Sequence, residues 1–520
     1  MKLVTVEQMR CIEARAAEAG FLSHILMENA GRASAQEIAK CIDRIEGYPI
    51  LILTGPGNNG GDGLVTARYL HDWGADIKLY LCTERPVNDP NYILTQNKKV
   101  LTIKTTEDKE FIQLEYLLHS NNFIIDAILG IGKSRLISGV LKEITTRVNK
   151  ARLKYSHLTI FSLDIPSGLD SDTGHMDAAG IKADITITLG YPKVGLFSFP
   201  GASNTRRIIT ADIGIPSETA QDVNVEITTT DFIKSILPER PSNANKGTFG
   251  KVLVIGGSSN YIGAPCLACS GAMHIGTGLV TLATATSLQP ISATKLTEVT
   301  YLPLPEQITG IIGLKAIEII KEHLQQYDVL LIGCGLGQNP DTIKFVRSLL
   351  ISTTTDIPSR LVVDADALNI IAQSPEWWQK IPDDVILTPH PGEMSRLTGR
   401  GISDIQAQRI DIAREAALLW HKTVVLKGAY TVIAAPDGRV RVNPNANPGL
   451  SSAGTGDVLS GVIAGLAAQG MSSFNAASCG VFLHSTAGEI IKEKIGDTGI
   501  LASDLLSALP LAIKQIKNAP

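Results

Sequence analysis

The sequence predicts two consecutive α/β domains, each built on a mainly parallel sheet with helices on both faces. Three observations carry this. The chain has 520 residues, more than one ordinary hydrophobic core supports. Short apolar runs alternate with amphipathic stretches, the rhythm of βαβ units. That rhythm stops once and then restarts, because Pro238 to Gly250 carry Pro, Ser, Asn and Gly with little apolar periodicity. The boundary is expected between residues 225 and 245, with domains drawn at 1–228 and 235–516.

Thr5 and Gln8 are spaced as a capping box, and Met9, Ile12 and Ala16 follow at helical spacing. Ile50 to Leu53, Phe123 to Ile125, Thr159 to Leu163 and Ile185 to Leu189 read as strands, separated by helical patterns such as Val65 to Trp73 and Val140 to Val148. After the break, Lys251 to Ile255, Asp328 to Ile332, Leu361 to Val363, Val385 to Leu387 and Thr423 to Leu426 are the strand candidates. No short-period repeat and no low-complexity tract interrupts them.

Composition narrows the function. A net charge of −4 gives no support for nucleic-acid binding. The Cys count is seven, odd and scattered, which fits a reducing compartment. Cys266 and Cys269 are the one close pair, and no second pair or His set completes a zinc site, so burial in a small-residue helix is the better reading. Met1 to Arg10 lacks a signal-peptide pattern, and no apolar run reaches the ~20 residues of a membrane span. A cytoplasmic protein without a membrane or nucleic-acid partner is expected.

In the first domain the strand ending at Leu53 runs into Gly55 to Gly63, GPGNNGGDG, and then into a helix. Ligands bind at the carboxyl ends of parallel strands, and glycines there let backbone N–H groups approach a phosphate. Gly55, Gly57 and Gly60 match the dinucleotide fingerprint, but Leu79 to Thr83 lacks the acidic residue that the fingerprint expects at the second strand end. An ordinary dehydrogenase is therefore disfavoured. Two further strands end in polar tips, at Asp126 and at Asp164 with Ser167. Each Asp alone reads as a turn or helix-cap residue; for Asp164, a cation ligand, a salt-bridge partner and a catalyst also compete. Asn59, Asp126 and Ser167 together offer the hard oxygens that suit an oxygen-seeking cation.

LMENAGRA (26–33), GPGNNGGDG (55–63) and DIPSGLDSDTG (164–174), in this order, resemble the epimerase domain of the NAD(P)H-hydrate repair enzymes. The resemblance implies a Rossmann-like three-layer sandwich. It implies that Asn58, Asn59, Gly60, Gly61 and Asp62, with Gly130, Ile131, Gly132, Lys133, Ser134 and Arg135, hold the substrate, that Asp164 touches the reacting ring as catalyst, and that Asn59, Asp126 and Ser167 bind potassium. The second loop departs from the family, reading Gly130-Ile131-Gly132-Lys133 in place of Gly-Thr-Gly-Leu.

In the second domain Gly454-Thr455-Gly456-Asp457 leads into a helix, a start that can hold a phosphate, with Asp457 set to accept a hydroxyl proton. The bland reading is an Asp-started helix after a Gly turn. Other strand ends add Lys427-Gly428, His390 within TPHPGE, and the acidic VVDADALN. With KGTFGKVLVIGGSSNYIGAP, GCGLG and KGAYT, these motifs resemble, in order, the ribokinase-like NAD(P)H-hydrate dehydratase. The resemblance implies that Ala264, Gly335 and His390 contact the hydrate and that Asp457 is catalytic. It assigns Lys427, Gly428, Ala429, Tyr430, Thr431, Gly454, Thr455 and Gly456 to an adenine nucleotide. Cys334 stands where the family has Pro. The expected chemistry is epimerisation of R and S hydrates of NADH and NADPH (NADHX and NADPHX) in a K⁺-dependent first domain. In the second, Mg²⁺ with ADP drives dehydration of the S form, giving AMP and phosphate; a homo-oligomer is expected. The competing reading is a small-molecule kinase for a vitamin precursor or sugar with a non-catalytic N-terminal module.

Overall fold

The computed structural model describes residues 1–132, 136–352 and 360–519. The chain divides into two units, Met1–Asn224 and Val225–Pro520. In the first, β1 (Pro49–Thr54), β2 (Asp76–Leu81), β3 (Leu101–Lys104), β4 (Phe123–Ala127), β5 (Thr159–Leu163), β6 (Ala183–Leu189) and β7 (Thr205–Ala211) form one sheet in the order β3-β2-β1-β4-β5-β6-β7. Every neighbouring pair is parallel.

The apolar run of β1 is continuous because both of its faces are covered. Ile50 and Ile52 join one core with Leu64, Ala67 and Leu70, whereas Leu51 and Leu53 join another with Leu114, Ile144 and Val148. The helices α1 (Val6–Glu18), α2 (Ser23–Ala39) and α3 (Asn58–Asp72) precede and follow β1. The strand order reverses between β1 and β4, the topological switch point where ligands of such sheets bind.

In the second unit, β8 (Val225–Ile227), β9 (Lys251–Ile255), β10 (Leu279–Ala285), β11 (Thr300–Leu304), β14 (Val329–Ile332), β15 (Arg360–Val363), β16 (Val385–Leu387), β17 (Thr423–Leu426), β18 (Val432–Ala434) and β19 (Val440–Val442) form a separate sheet; β12 (Glu306–Ile308) and β13 (Ile311–Ile312) make a small hairpin. The order is β11-β10-β9-β14-β15-β16-β17-β18-β19-β8, parallel except where β18 pairs antiparallel with β17 and β19.

This corrects the expected boundary. Residues 225–228, drawn with the first domain, belong with the second, because β8 pairs with β19 through Val225, Glu226 and Ile227 opposite Val440, Arg441 and Val442. A strand is assigned by its hydrogen-bonding partner, and a pairing this distant in sequence leaves no local signal. The second sheet therefore takes strands from both sides of Pro238.

The helix Thr455–Ala468 is buried nearly all round, as expected of a core helix. It packs on the helix Gly263–His274 so closely that a Cβ on Gly461 would meet the Ala268 carbonyl oxygen at 1.9 Å. Cys266 and Cys269 lie on that second helix as buried free thiols. Among the described residues, no helix is long and apolar enough to cross a membrane.

Candidate active sites

In the first unit the Gly-rich loop is shaped by close backbone approach. A Cβ on Gly55 would lie 1.9 Å from the Ile128 carbonyl oxygen, and one on Gly60 would lie 2.1 Å from that of Gly55. The Arg85 guanidinium braces the loop by donating to the Gly55 carbonyl and pairing with Asp89 at 2.5 Å. At the switch point the strand ends enclose a cavity of about 690 Å³, within the usual size of a small-molecule site. Asn58, Asn59, Asp62, Gly130, Ile131, Gly132 and Asp164 all line it.

Gly60 and Gly61 do not line the cavity. Gly60 backs onto Gly55 and Arg85, and a Cβ on Gly61 would lie 2.8 Å from the Met27 sulfur. Successive residues of a helix face different directions, so one turn of α3 cannot present every residue to one ligand. Lys133, Ser134 and Arg135 lie outside the described residues.

Asp126 ends β4 fully buried. Its carboxylate accepts from Ser167 Oγ at 2.6 Å, the Ser167 amide at 2.8 Å and Ser162 Oγ at 2.8 Å. Burial pushes its pKa up, and these bonds only partly offset it. Asn59 Nδ2 donates to the Leu129 carbonyl at 2.9 Å, while its buried Oδ1 has no hydrogen-bond partner. An orphaned amide oxygen near a buried carboxylate and a hydroxyl fits a monovalent, oxygen-seeking cation.

Asp164 caps β5 in the left-handed region at φ 64°, a conformation that Asp and Asn tolerate better than most residues. It accepts from the Leu189 amide at 3.3 Å and is ion-paired with Lys193, whose ammonium also donates to the Leu189 carbonyl at 3.1 Å. Lys193 is 1% exposed. Among the readings open for Asp164, the salt bridge is therefore present, and it is made on the cavity wall. Glu13 of α1 also lines the cavity, raised by burial with Lys193 opposing and Asp164 adding. Asp62 is raised well above the carboxylate range by burial and by the charges of Asp164 and Glu13.

Lys193 and Glu13 escape the sequence reading. The signal for Lys193 was its place just beyond a strand end, in Tyr191-Pro192-Lys193; an isolated Lys in a turn usually reads as solvated. For Glu13 there was none, since α1 precedes the sheet and follows no strand end.

In the second unit the strand ends gather a row of alternating charge. Lys427, at the end of β17, lies 2.7 Å from Asp364 at the end of β15 and 3.9 Å from Glu393. Asp364 also accepts from Ser460 at 2.6 Å and Thr388 at 2.7 Å. Burial favours its neutral form, but Lys427 and these bonds prevail and keep its pKa low. Burial raises Glu393 to about 7 against the opposing pull of Lys427.

Asp457 stands in the first turn of the helix Thr455–Ala468. Burial and the neighbouring Asp364 raise its pKa to about 6, opposed by a hydrogen bond from the Cys334 thiol and by Lys427. The loop residue Cys334 thus ends up against Asp457.

Ala264 and Gly335 do come together: a Cβ on Gly335 would be 2.9 Å from that of Ala264. His390 caps the helix Pro391–Thr398, its Nδ1 accepting from the Gly392 amide at 2.9 Å. Burial and Lys427 lower its pKa, leaving a neutral ring with Nε2 3.5 Å from Glu393.

Gly428 and Ala429 are exposed at the tip after β17. Below them Arg409 donates to the Leu426 and Lys427 carbonyls at 2.8 and 3.1 Å. Thr431 Oγ1 donates to the Gly428 carbonyl at 2.8 Å, and Tyr430 is buried. Gly454 provides the left-handed turn at φ 89° before the helix, and Gly456 faces the Lys427 ammonium. The Thr455 hydroxyl donates to the Leu450 and Ser452 carbonyls at 2.8 and 2.9 Å and so secures the turn.

Cys334, Asp364 and Asp457 bring their ligand atoms within 4.8 Å of one another. A soft sulfur and a carboxylate already committed to Lys427 suit Mg²⁺ poorly.

Residues 252–511 match the family model described as NAD(P)H-hydrate dehydratase, and residues 23–195 match that of the YjeF-related protein N-terminus. A bifunctional NAD(P)H-hydrate repair enzyme from Moorella thermoacetica is 38% identical, over 100% of this chain and 98% of the relative. One from Thermofilum pendens is 35% identical, over 100% and 97% respectively. The crystal structure of an ADP/ATP-dependent NAD(P)H-hydrate dehydratase from Bacillus subtilis is 33% identical and covers 56% of this chain and 99% of its own, with a TM-score of 0.48. Relatives matched end to end across both units favour the repair reading over a kinase with a non-catalytic module. The chain belongs to the family of bifunctional NAD(P)H-hydrate repair enzymes, joining an NAD(P)H-hydrate epimerase to an NAD(P)H-hydrate dehydratase.

Proposed function

We propose that the cavity at the β1/β4 switch point is the epimerase site and that the strand ends around Asp457 form the dehydratase site. The observation that carries the second assignment is a carboxyl raised to about 6 at a helix start beside Lys427. A general base works best when its pKa lies near the working pH. Asp457 takes the proton of the hydrate's hydroxyl, whose oxygen attacks the terminal phosphorus of ADP. AMP departs; phosphate is then eliminated from the new ester as the ring nitrogen's electron pair assists and a proton of the adjacent ring carbon passes to solvent, regenerating NADH or NADPH. Backbone N–H groups of Gly454 to Gly456 stabilise the charge on the transferring group.

In the first unit, Asp164 faces the carbon that bears the hydroxyl. Loss of that hydroxyl leaves a nitrogen-stabilised cation, which the Asp164 carboxylate stabilises; the carboxylate then accepts the proton of the water returning to either face. A carboxylate paired with a buried ammonium has no proton to give, so Asp164 serves as base and not as the initial acid. Asn59, Asp126 and Ser167 would hold K⁺, whose charge would offset that of Asp126.

The test is one incubation of the purified protein with mixed R and S hydrates and ADP, following the absorbance of reduced nicotinamide. Wild type is expected to convert the whole mixture, releasing AMP and phosphate. Asp164→Asn, which keeps the size and tolerates the left-handed backbone, is expected to convert the S fraction and then slow to the uncatalysed epimerisation rate. A stable phosphorylated product without reduced cofactor refutes the dehydratase assignment, and complete conversion by Asp164→Asn at the wild-type rate refutes the epimerase assignment.

A further inference from the structure

If Asp164 is held as an ion-paired base, the departing hydroxyl needs a proton from another group. Among the described residues the cavity wall carries five carboxyls, of Glu13, Asp62, Asp164, Asp170 and Asp172, and two cations, Arg10 and the buried Lys193. Lys193 is committed to Asp164. Asp62 is 8% exposed and lines the cavity from the second turn of α3, and its carboxyl has no hydrogen-bond or ion-pair partner among the described residues.

A buried carboxyl without a cation or a donor keeps its proton in preference to a charge. The wall groups around it agree. Asp164, from the end of β5, and Glu13, from α1, add negative charge, and among the described residues Lys193, beyond β6, opposes them. Arg10, Asp170 and Asp172 also line the cavity, with Arg10 acting on Glu13.

We propose that Asp62 is the catalytic acid of the epimerase: its carboxyl proton passes to the departing hydroxyl, and the Asp164–Lys193 pair serves as the base of the same reaction. The proposal rests on the epimerase reading of this cavity. In the forward half, the carbon–oxygen bond breaks and its electron pair leaves with the oxygen. That oxygen takes the Asp62 proton and departs as water, while the ring nitrogen's pair forms the carbon–nitrogen double bond. In the return half, water adds to the opposite face and loses its proton to Asp164. The Asp164 proton then passes through solvent in the cavity to Asp62, so the enzyme is restored with no net change in protons or electrons. One carboxyl of the site is unpartnered and buried while the other is held in an ion pair, which divides the acid and base roles.

The experiment compares wild type, Asp62→Asn and Asp164→Asn, all as the full chain. Asp62→Asn is expected to lose at least about 100-fold in R-to-S conversion, in the range for removing a general acid, while dehydration of pure S hydrate persists. The wild-type minus Asp62→Asn infrared difference spectrum at neutral pH is expected to contain the carbonyl stretch of a neutral carboxylic acid. If Asp62→Asn fails to melt as a folded protein, Asp62→Ala takes its place, and added formic acid is expected to restore part of the rate.

R-to-S conversion within about threefold of wild type in the Asp62 variant overturns the acid assignment, as does a difference spectrum lacking the neutral-acid band. The underlying site reading is judged separately. An inactive Asp164→Asn beside an active Asp62→Asn rejects this proposal and keeps the epimerase site, whereas wild-type rates in both variants reject the site itself.

Discussion

The two sites use the same pairing in different places. Each has one Asp bound to a largely buried Lys, Asp164 with Lys193 and Asp364 with Lys427. Each also has a second Asp that burial drives toward its neutral form, Asp62 and Asp457. In the second unit the paired Asp364 is saturated by Ser460 and Thr388. It is a fully engaged, buried carboxylate, whereas the proposed base is Asp457. In the first unit the paired Asp164 lines the cavity itself, with one backbone amide as its further donor. The two Asp–Lys pairs thus differ in how many other donors engage the carboxylate.

The largest expected effect tests whether Lys193 is integral to the first unit. Lys193→Met leaves Asp164 as an uncompensated charge, and breaking a buried pair this way costs about 3–5 kcal/mol. Amide hydrogen exchange on the full chain is expected to accelerate in β5 and β6, with protection in β15 and β17 unchanged. Equal protection in wild type and variant breaks the comparison, because the pair is then no anchor.

A smaller effect sharpens the role of Asp457. Asp457→Asn is expected to slow dehydration by about two orders of magnitude or more, with R-to-S conversion unchanged. The base must be ionised to work, so protonation removes activity. Wild-type dehydration is therefore expected to fall as pH drops through about 6 and to level off above it. A rate with saturating substrates that stays flat from about pH 7 to pH 5 contradicts the assignment.

The smallest effect is that of the helix cap at the start of α1, which follows directly on Val4, bridged to Lys193. Gln8 N donates to Thr5 Oγ1 at 3.2 Å and Thr5 N donates to Gln8 Oε1 at 2.9 Å, closing the capping box of α1. Thr5→Ala is expected to cost the first unit about 1 kcal/mol, read as a lower denaturation midpoint with dehydration unaffected. A loss as large as that of Lys193→Met shows that α1, which carries Glu13, has a larger part in the cavity than its cap alone explains.

The sequence by itself determined what depends on near neighbours. The capping box of α1, the apolar runs of β1, β4, β5 and β9, the Gly-rich turn before α3 and the polar strand ends all follow from local spacing, because side-chain periodicity and turn chemistry act over a few residues. Position at a strand's carboxyl end was enough to pick out Asp126, Asp164 and Lys427, and the Gly-rich helix start picked out Asp457. Tertiary structure alone decided how those groups are charged and which of them face the cavity. It assigned β8 to the second sheet through a partner more than 200 residues away, gave His390 a capping role, turned Gly60 and Gly61 away from the cavity and set Cys334 against Asp457. It also brought Glu13 and Lys193 from separate elements to Asp62 and Asp164. Protonation depends on desolvation and on the distances between charges, and both quantities exist only once the elements have packed.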